Sequence, residues 1–204
     1  MDVKFFSKTG VVLAAIALWQ PAQAEEALIP NGDMEVWQSA NVRGFAPESD
    51  GVYPASWTVK QDNPQEAGTG LVSQDSDVKN GGESSLRVES RSMEQSLTVS
   101  AEVVPITPGQ NYILSGYLRG ENLSEPLTKE TGILVFYSQG PASDFPAKMK
   151  LGTHRVPLFG TFDWEYFEVP FTAEPEADRL RVSIQLRKME GVLWIDDVKL
   201  VPQP

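Results

Sequence analysis

Leu180-Arg181-Val182-Ser183-Ile184-Gln185-Leu186-Arg187 alternates apolar and polar residues without a break. Successive side chains of an extended chain point to opposite faces. The stretch therefore predicts a strand with Leu180, Val182, Ile184 and Leu186 on one side and Arg181, Ser183, Gln185 and Arg187 on the other. Similar short runs rich in Val, Ile, Leu, Tyr and Phe lie on either side of it. They predict strands at Leu28–Ile29, Trp57–Lys60, Ser84–Ser90, Ser96–Pro105, Asn111–Arg119, Gly132–Ser138, His154–Leu158, Glu165–Phe171 and Gly191–Val201. Pro108-Gly109 and Asn80-Gly81-Gly82 are turn signals, and no segment holds a helical period. The reading is an all-β sandwich. Two stretches, Gln38 to Ala55 and Gln139 to Thr153, are expected to be long loops.

Lys4 and Lys8 precede an apolar run from Val11 to Trp19, which is too short to span a bilayer, and Ala22-Gln23-Ala24 follows. That is the pattern of a secretory signal peptide over residues 1–24, with one domain expected over residues 25–204. The whole chain has 17 basic and 28 acidic residues; the leader takes Lys4, Lys8 and Asp2 with it, leaving 15 and 27 and a net charge of −12. Such acidity argues against nucleic acid and anionic membrane as partners, and no membrane insertion is expected. There is no cysteine, and His154 is the single imidazole, which excludes the usual zinc and iron–sulfur sites. A secreted or periplasmic protein of bacterial origin is the simplest inference, its stability owed to a hydrophobic core or a metal rather than to disulfides.

Asn31-Gly32-Asp33-Met34-Glu35 near the start and Trp194-Ile195-Asp196-Asp197-Val198 near the end both set acids in or beside apolar strands. Strands paired at the two ends of the chain would gather these carboxylates, and clustered carboxylates with carbonyl oxygens suit Ca²⁺. The alternative is a solvated turn, with the aspartates accepting backbone hydrogen bonds.

Six segments, in order, resemble carbohydrate-binding modules of the galactose-binding-like jelly-roll type, families 4, 9 and 22. They are Leu28 to Glu35, Pro54-Ala55-Ser56-Trp57, Asn80-Gly81-Gly82-Glu83-Ser84-Ser85-Leu86-Arg87-Val88, Pro108 to Gly120, Gly160-Thr161-Phe162-Asp163-Trp164, and Trp194 to Val198. Met34 stands where the family usually has an aromatic residue. The resemblance implies a jelly-roll β-sandwich and a structural Ca²⁺ held by Asp33, Glu35 and Asp196 with main-chain oxygens near Ser84. Asp197, one residue further along a regular strand, would face the other way. The resemblance does not itself supply a ligand.

A sugar site needs exposed aromatic rings and hydrogen-bonding neighbours. Trp57, Trp164 and Trp194 fall at framework positions of the resemblance and are expected in the core. Tyr137, Trp37, Tyr53, Phe136 and Phe145 lie in or beside the long loops and are the candidate platforms, with Phe45 a further one. Gln185 and Arg119 are candidate polar partners beside Arg181 and Arg187; the competing reading of that row is a solvated outer face. Asp163-x-Glu165-x-x-Glu168 does not place three acids on one face of a strand, and His154 has no identifiable nucleophile or acid partner, so no enzyme activity is expected. The functional expectation is an exported, non-catalytic binder of poly- or oligosaccharide with a structural calcium ion. The alternative is a protein-interaction or cell-envelope structural module with no sugar site.

Overall fold

The alternating stretch becomes strand β13 (Arg179–Arg187), with β10 (Gly132–Gly140) on one side and β7 (Ser96–Ala101) on the other. The structure is a computed structural model that describes residues 27–39, 48–49, 52–62, 70–128, 131–144, 150–156 and 158–204. The predicted leader over residues 1–24, Phe45 and Phe145 lie outside these residues. The first sheet continues through β11 (Lys150–Val156) beside β10, and β4 (Trp57–Gln61) beside β7; β8 (Val104–Pro105) extends the pairing of β13. The second sheet has the order β12 (Gly160–Thr172), β9 (Asn111–Leu123), β14 (Gly191–Gln203), β6 (Ser85–Ser90), β5 (Gly70–Asp75) and β2 (Glu48–Ser49). β1 (Trp37–Ser39) and β3 (Val52–Pro54) form a separate ribbon, and Ala142–Asp144 is one 3-10 turn. The β2–β5 pair is parallel and the other pairs are antiparallel. This is the expected all-β, jelly-roll sandwich.

Register fixes which side chains meet inside. Leu180, Val182, Ile184 and Leu186 are at most 2% exposed. Ile184 lies beside Val99 and Val135, and Leu186 beside Leu97 and Ile133. The facing sheet supplies Leu86, Val88, Leu114, Leu118, Leu193, Ile195 and Leu200. Full burial of each such side chain contributes about 1.5–3 kcal/mol, which makes the period-two pattern decisive for register.

Three expectations are corrected. The Gln38–Ala55 segment contains short strands β1 to β3, and the 139–153 segment contains the last two residues of β10, the 3-10 turn and the start of β11. β5 was not anticipated, because Leu71-Val72-Ser73-Gln74 carries only two apolar residues. Leu28–Ile29 does not form a strand, yet it runs beside β14 as expected: Leu28 N–H donates to Leu200 O at 2.9 Å and Val198 N–H to Gly32 O at 2.8 Å. Gly32 is required there, since a Cβ would sit 1.9 Å from Val198 O.

Candidate functional site

The opening turn and the end of the chain meet at the loop before β6. Glu35 Oε1 accepts from the backbone N–H of Glu83 at 2.8 Å and of Ser84 at 3.3 Å. Asp196 Oδ2 accepts from Asn80 N–H at 2.8 Å and Gly81 N–H at 3.2 Å, and its Oδ1 from Asp197 N–H. The two carboxylates thus grip opposite ends of the 80–84 loop. Gly82 has φ +53, and a Cβ there would lie 1.9 Å from Glu35 Oε1, so the turn needs glycine for both conformation and space. A bulge between Asp196 and Lys199, with Asp197 at φ 52, breaks the alternation. It turns Asp197 toward the same loop, where it accepts from Asn80 Nδ2 at 3.0 Å. A regular strand would have sent it the other way, so the expectation for Asp197 is corrected.

Asp196 is 1% exposed, and burial pushes its carboxyl above the usual range despite the N–H groups of Gly81, Asn80 and Asp197. No cationic side chain pairs with it among the described residues. A buried carboxylate without a counter-charge and a second carboxylate across the loop are oxygen donors of the type Ca²⁺ takes, but both accept backbone N–H groups of the turn, as the alternative reading of the sequence has it. The remaining expected ligands fit less well. Asp33 is exposed, and among the described residues no three acidic or imidazole side chains converge as a metal cluster. The Ser84 side chain is occupied: its Oγ donates to Met34 O at 2.7 Å and accepts from Trp37 Nε1 at 3.0 Å. Its main chain remains in the loop.

The second candidate is the outward face of the first sheet. Phe136 stands opposite Ser183, Leu134 opposite Gln185, and Ser138 opposite Arg181. Ser183 pairs onward with Ser100, and Ser100 with Thr58; Gln185 pairs with Thr98, and Thr98 with Lys60. Directly opposed residues share a face, and Phe136 and Gln185 are diagonal neighbours, at about 7–8 Å for such pairs. Gln185 Nε2 donates to Asp62 Oδ2 at 3.2 Å, and the hydroxyls of Ser100 and Ser183 are 2.8 Å apart. Leu134 and Ser183 are buried although they point outward, covered by longer neighbours on the same face. A half-buried ring, an amide, a carboxylate and hydroxyls on one face can stack on and hydrogen-bond a sugar. Asp62 and Thr58 were not singled out in the sequence; only strand pairing brings them beside Ser183.

Four expected contact residues belong elsewhere. Tyr137 shares the inward face with Val182, stacks on Phe171 at a centroid distance of 4.0 Å, and lies over Gly152. Tyr53 is 6% exposed and part of the core. Trp37 is half-buried, and its indole N–H is shared between Met34 O and Ser84 Oγ, so it ties the opening turn to the 80–84 loop. Arg119 lies on the second sheet, its guanidinium 5.5 Å from the centre of the Trp194 ring. Of the framework tryptophans, Trp57 is buried inward and donates to Asn31 O, and Trp164 is half-buried. Trp194 is 4% exposed on the outward side, covered by Arg87 and Arg119, with its N–H donated to Asp75 Oδ2 at 2.8 Å. A cavity of about 330 Å³ at the end of the sandwich is lined by Gln139, Pro141, Glu174, Pro175 and Ala177, with no aromatic side chain among the described residues.

No protein-family model matches the chain, and no curated protein sequence does. Solved structures do. The enzymatically active domain of bacteriophage CBA120 tailspike protein 4 matches with a TM-score of 0.58 at 14% identity, over 73% of this chain and 20% of that one. A family 4 carbohydrate-binding module matches with a TM-score of 0.51 at 17% identity, over 86% of this chain and 99% of that one. TmCBM61 in complex with β-1,4-galactotriose gives 0.50 at 17% identity, over 87% and 99%. The fold is the jelly roll of carbohydrate-binding modules. The chain spans about a fifth of the tailspike structure, and nearly the full length of the two modules. Likeness at these identities is likeness of fold, and the ligand must be argued from the face itself.

Proposed function

We propose that the chain is an exported, non-catalytic carbohydrate-binding module that lays a poly- or oligosaccharide across the outward face of its first sheet. The observation that carries this reading is the grouping of Phe136 with Arg181, Ser183 and the Gln185–Asp62 pair on one face. The Phe136 ring supplies a stacking surface, and the amide and carboxylate supply a donor and an acceptor for hydroxyls. The shared fold with modules of this kind, one of them solved with β-1,4-galactotriose, supports the ligand class and places galacto-oligosaccharides among the first probes. A structural Ca²⁺ is part of the proposal, with Asp196, Glu35 and main-chain oxygens of the 80–84 loop as its ligands. The ion would supply the positive charge that the buried Asp196 carboxylate lacks.

Affinity electrophoresis of the mature chain against β-glucan, xylan, galactan and mannan tests the reading. Retardation by one polymer is expected, with Phe136→Ala and Gln185→Ala each weakening it by about tenfold, or about 1.4 kcal/mol. Retardation unchanged in both variants would refute this face as the site. Free migration of the folded protein on every polymer would transfer the function to a protein partner.

A further inference from the structure

The outward face of the second sheet carries an aromatic feature that the first site does not use. Tyr166 on β12 stands opposite Tyr117 on β9, their ring centres 5.3 Å apart at 54°. Tyr166 is 52% exposed and, among the described residues, is the only large apolar side chain within a strand that is exposed; Val36, Leu127 and Phe159 lie between strands. Its hydroxyl donates to Glu168 Oε2 at 2.9 Å. Hydrogen bonding with Ser115 lowers the Tyr166 pKa, while partial burial, Glu168 and Tyr117 outweigh it and leave the phenol above its ordinary value. The ring is therefore anchored at its far end and flanked by Tyr117 on the neighbouring strand, so holding it still on binding takes little additional ordering.

Size and charge select the occupant. One aromatic side chain has about 150–250 Å² to bury, whereas a stable protein interface needs about 800 Å² from each partner. Glu168 is exposed on the same side of β12 as Tyr166, and Asp163, further along the strand, is exposed too, whereas the nearby cations are engaged: Lys199 lies 3.4 Å from Asp197, and Arg119 lies over Trp194 and 3.9 Å from Asp163. An anionic polymer would meet these acids, whereas neutral hydroxyls find acceptors in them. We propose that Tyr166, supported by Tyr117 and flanked by Glu168, is a second contact point for a neutral pyranose ring, on the side of the sandwich opposite the first face. This rests on the glycan-binding reading above. Two faces so placed make the module bivalent toward a polysaccharide, able to bridge neighbouring chains.

Backbone amide shift mapping of the mature chain with cellohexaose, xylohexaose and β-1,4-galactotriose tests the proposal. The expected result is two separate sets of shifted amides, one around residues 134–138 and 183–185 and one around 115–119 and 165–168. Tyr166→Ala should weaken the second set by about tenfold and leave the first intact, and Phe136→Ala should do the reverse. Tyr166→Phe, which keeps the ring and loses the anchor, should weaken the second set by about two- to tenfold, the worth of one hydrogen bond. Shifts confined to the first set, or a second set indifferent to Tyr166→Ala, overturn the proposal and leave the first site standing. Shifts confined to the second set support it and overturn the first site. No shift with any probe overturns both.

Discussion

Replacing Gly82 with alanine should damage the loop in two separable ways. At φ +53 a side-chain-bearing residue is strained by about 1–2 kcal/mol. The new methyl would also sit 1.9 Å from Glu35 Oε1, which must then leave its hydrogen bonds to Glu83 and Ser84. The carboxylate is the far end of a flexible side chain and can swing away, so the second cost is the lost hydrogen bonding, about 1–2 kcal/mol at this part-exposed site. Gly82→Ala should therefore destabilise the chain by about 2–4 kcal/mol, but by only about 1–2 kcal/mol in a Glu35→Ala background, where no carboxylate remains to displace. Urea unfolding of the four proteins of this cycle, in chelator so that metal binding does not enter, measures the coupling. An identical cost of Gly82→Ala in both backgrounds would refute the placement of Glu35 over the loop.

Two further outcomes follow from the same region and its neighbour. Burial raises the Asp75 pKa, but the indole N–H of Trp194, the N–H groups of Val78 and Asp77 and the charge of Arg87 outweigh it, so the carboxyl lies below its ordinary 3.8. Its stabilisation is present above that value and lost as pH falls through the folded pKa; the stability gap between the wild-type chain and Asp75→Asn should shrink below about pH 4, and a gap constant from pH 7 to 2.5 would count against it. Calcium at about 100 times its Kd should add about 2.7 kcal/mol, or a Tm rise of about 5–10 °C over chelator. An equal rise in Asp196→Asn would remove that carboxylate from the site.

The sandwich was legible because burial and period coincide along β13, where every second residue is apolar. The site was legible only in part, because a face is set by parity relative to a partner strand. Phe136 and Tyr137 are adjacent and equally aromatic; the pairing of Tyr137 with Val182 and of Phe136 with Ser183 decides which one faces outward. Tyr53 and Trp37 read as loop residues because β1 and β3 are three residues long, too short to show a period. Trp194 is buried as expected, but through Arg87 and Arg119 laid over it rather than by facing the core, which no local pattern encodes. Asp197 escaped because a bulge shifts parity by one residue.

The position of β14 bears on how the chain comes to be folded. It follows all the other strands in sequence, yet it lies in the interior of the second sheet, with β9 on one side and β6 on the other. A chain emerging from the ribosome has both flanks of that sheet before it has the strand that joins them. β9 and β6 are joined only through residues 191–203, so the second sheet cannot close before that strand is in place. Contacts between segments so distant in sequence make for slow folding. Until then two half-sheets carry unpaired inner edges, the state most exposed to aggregation and most in need of a chaperone.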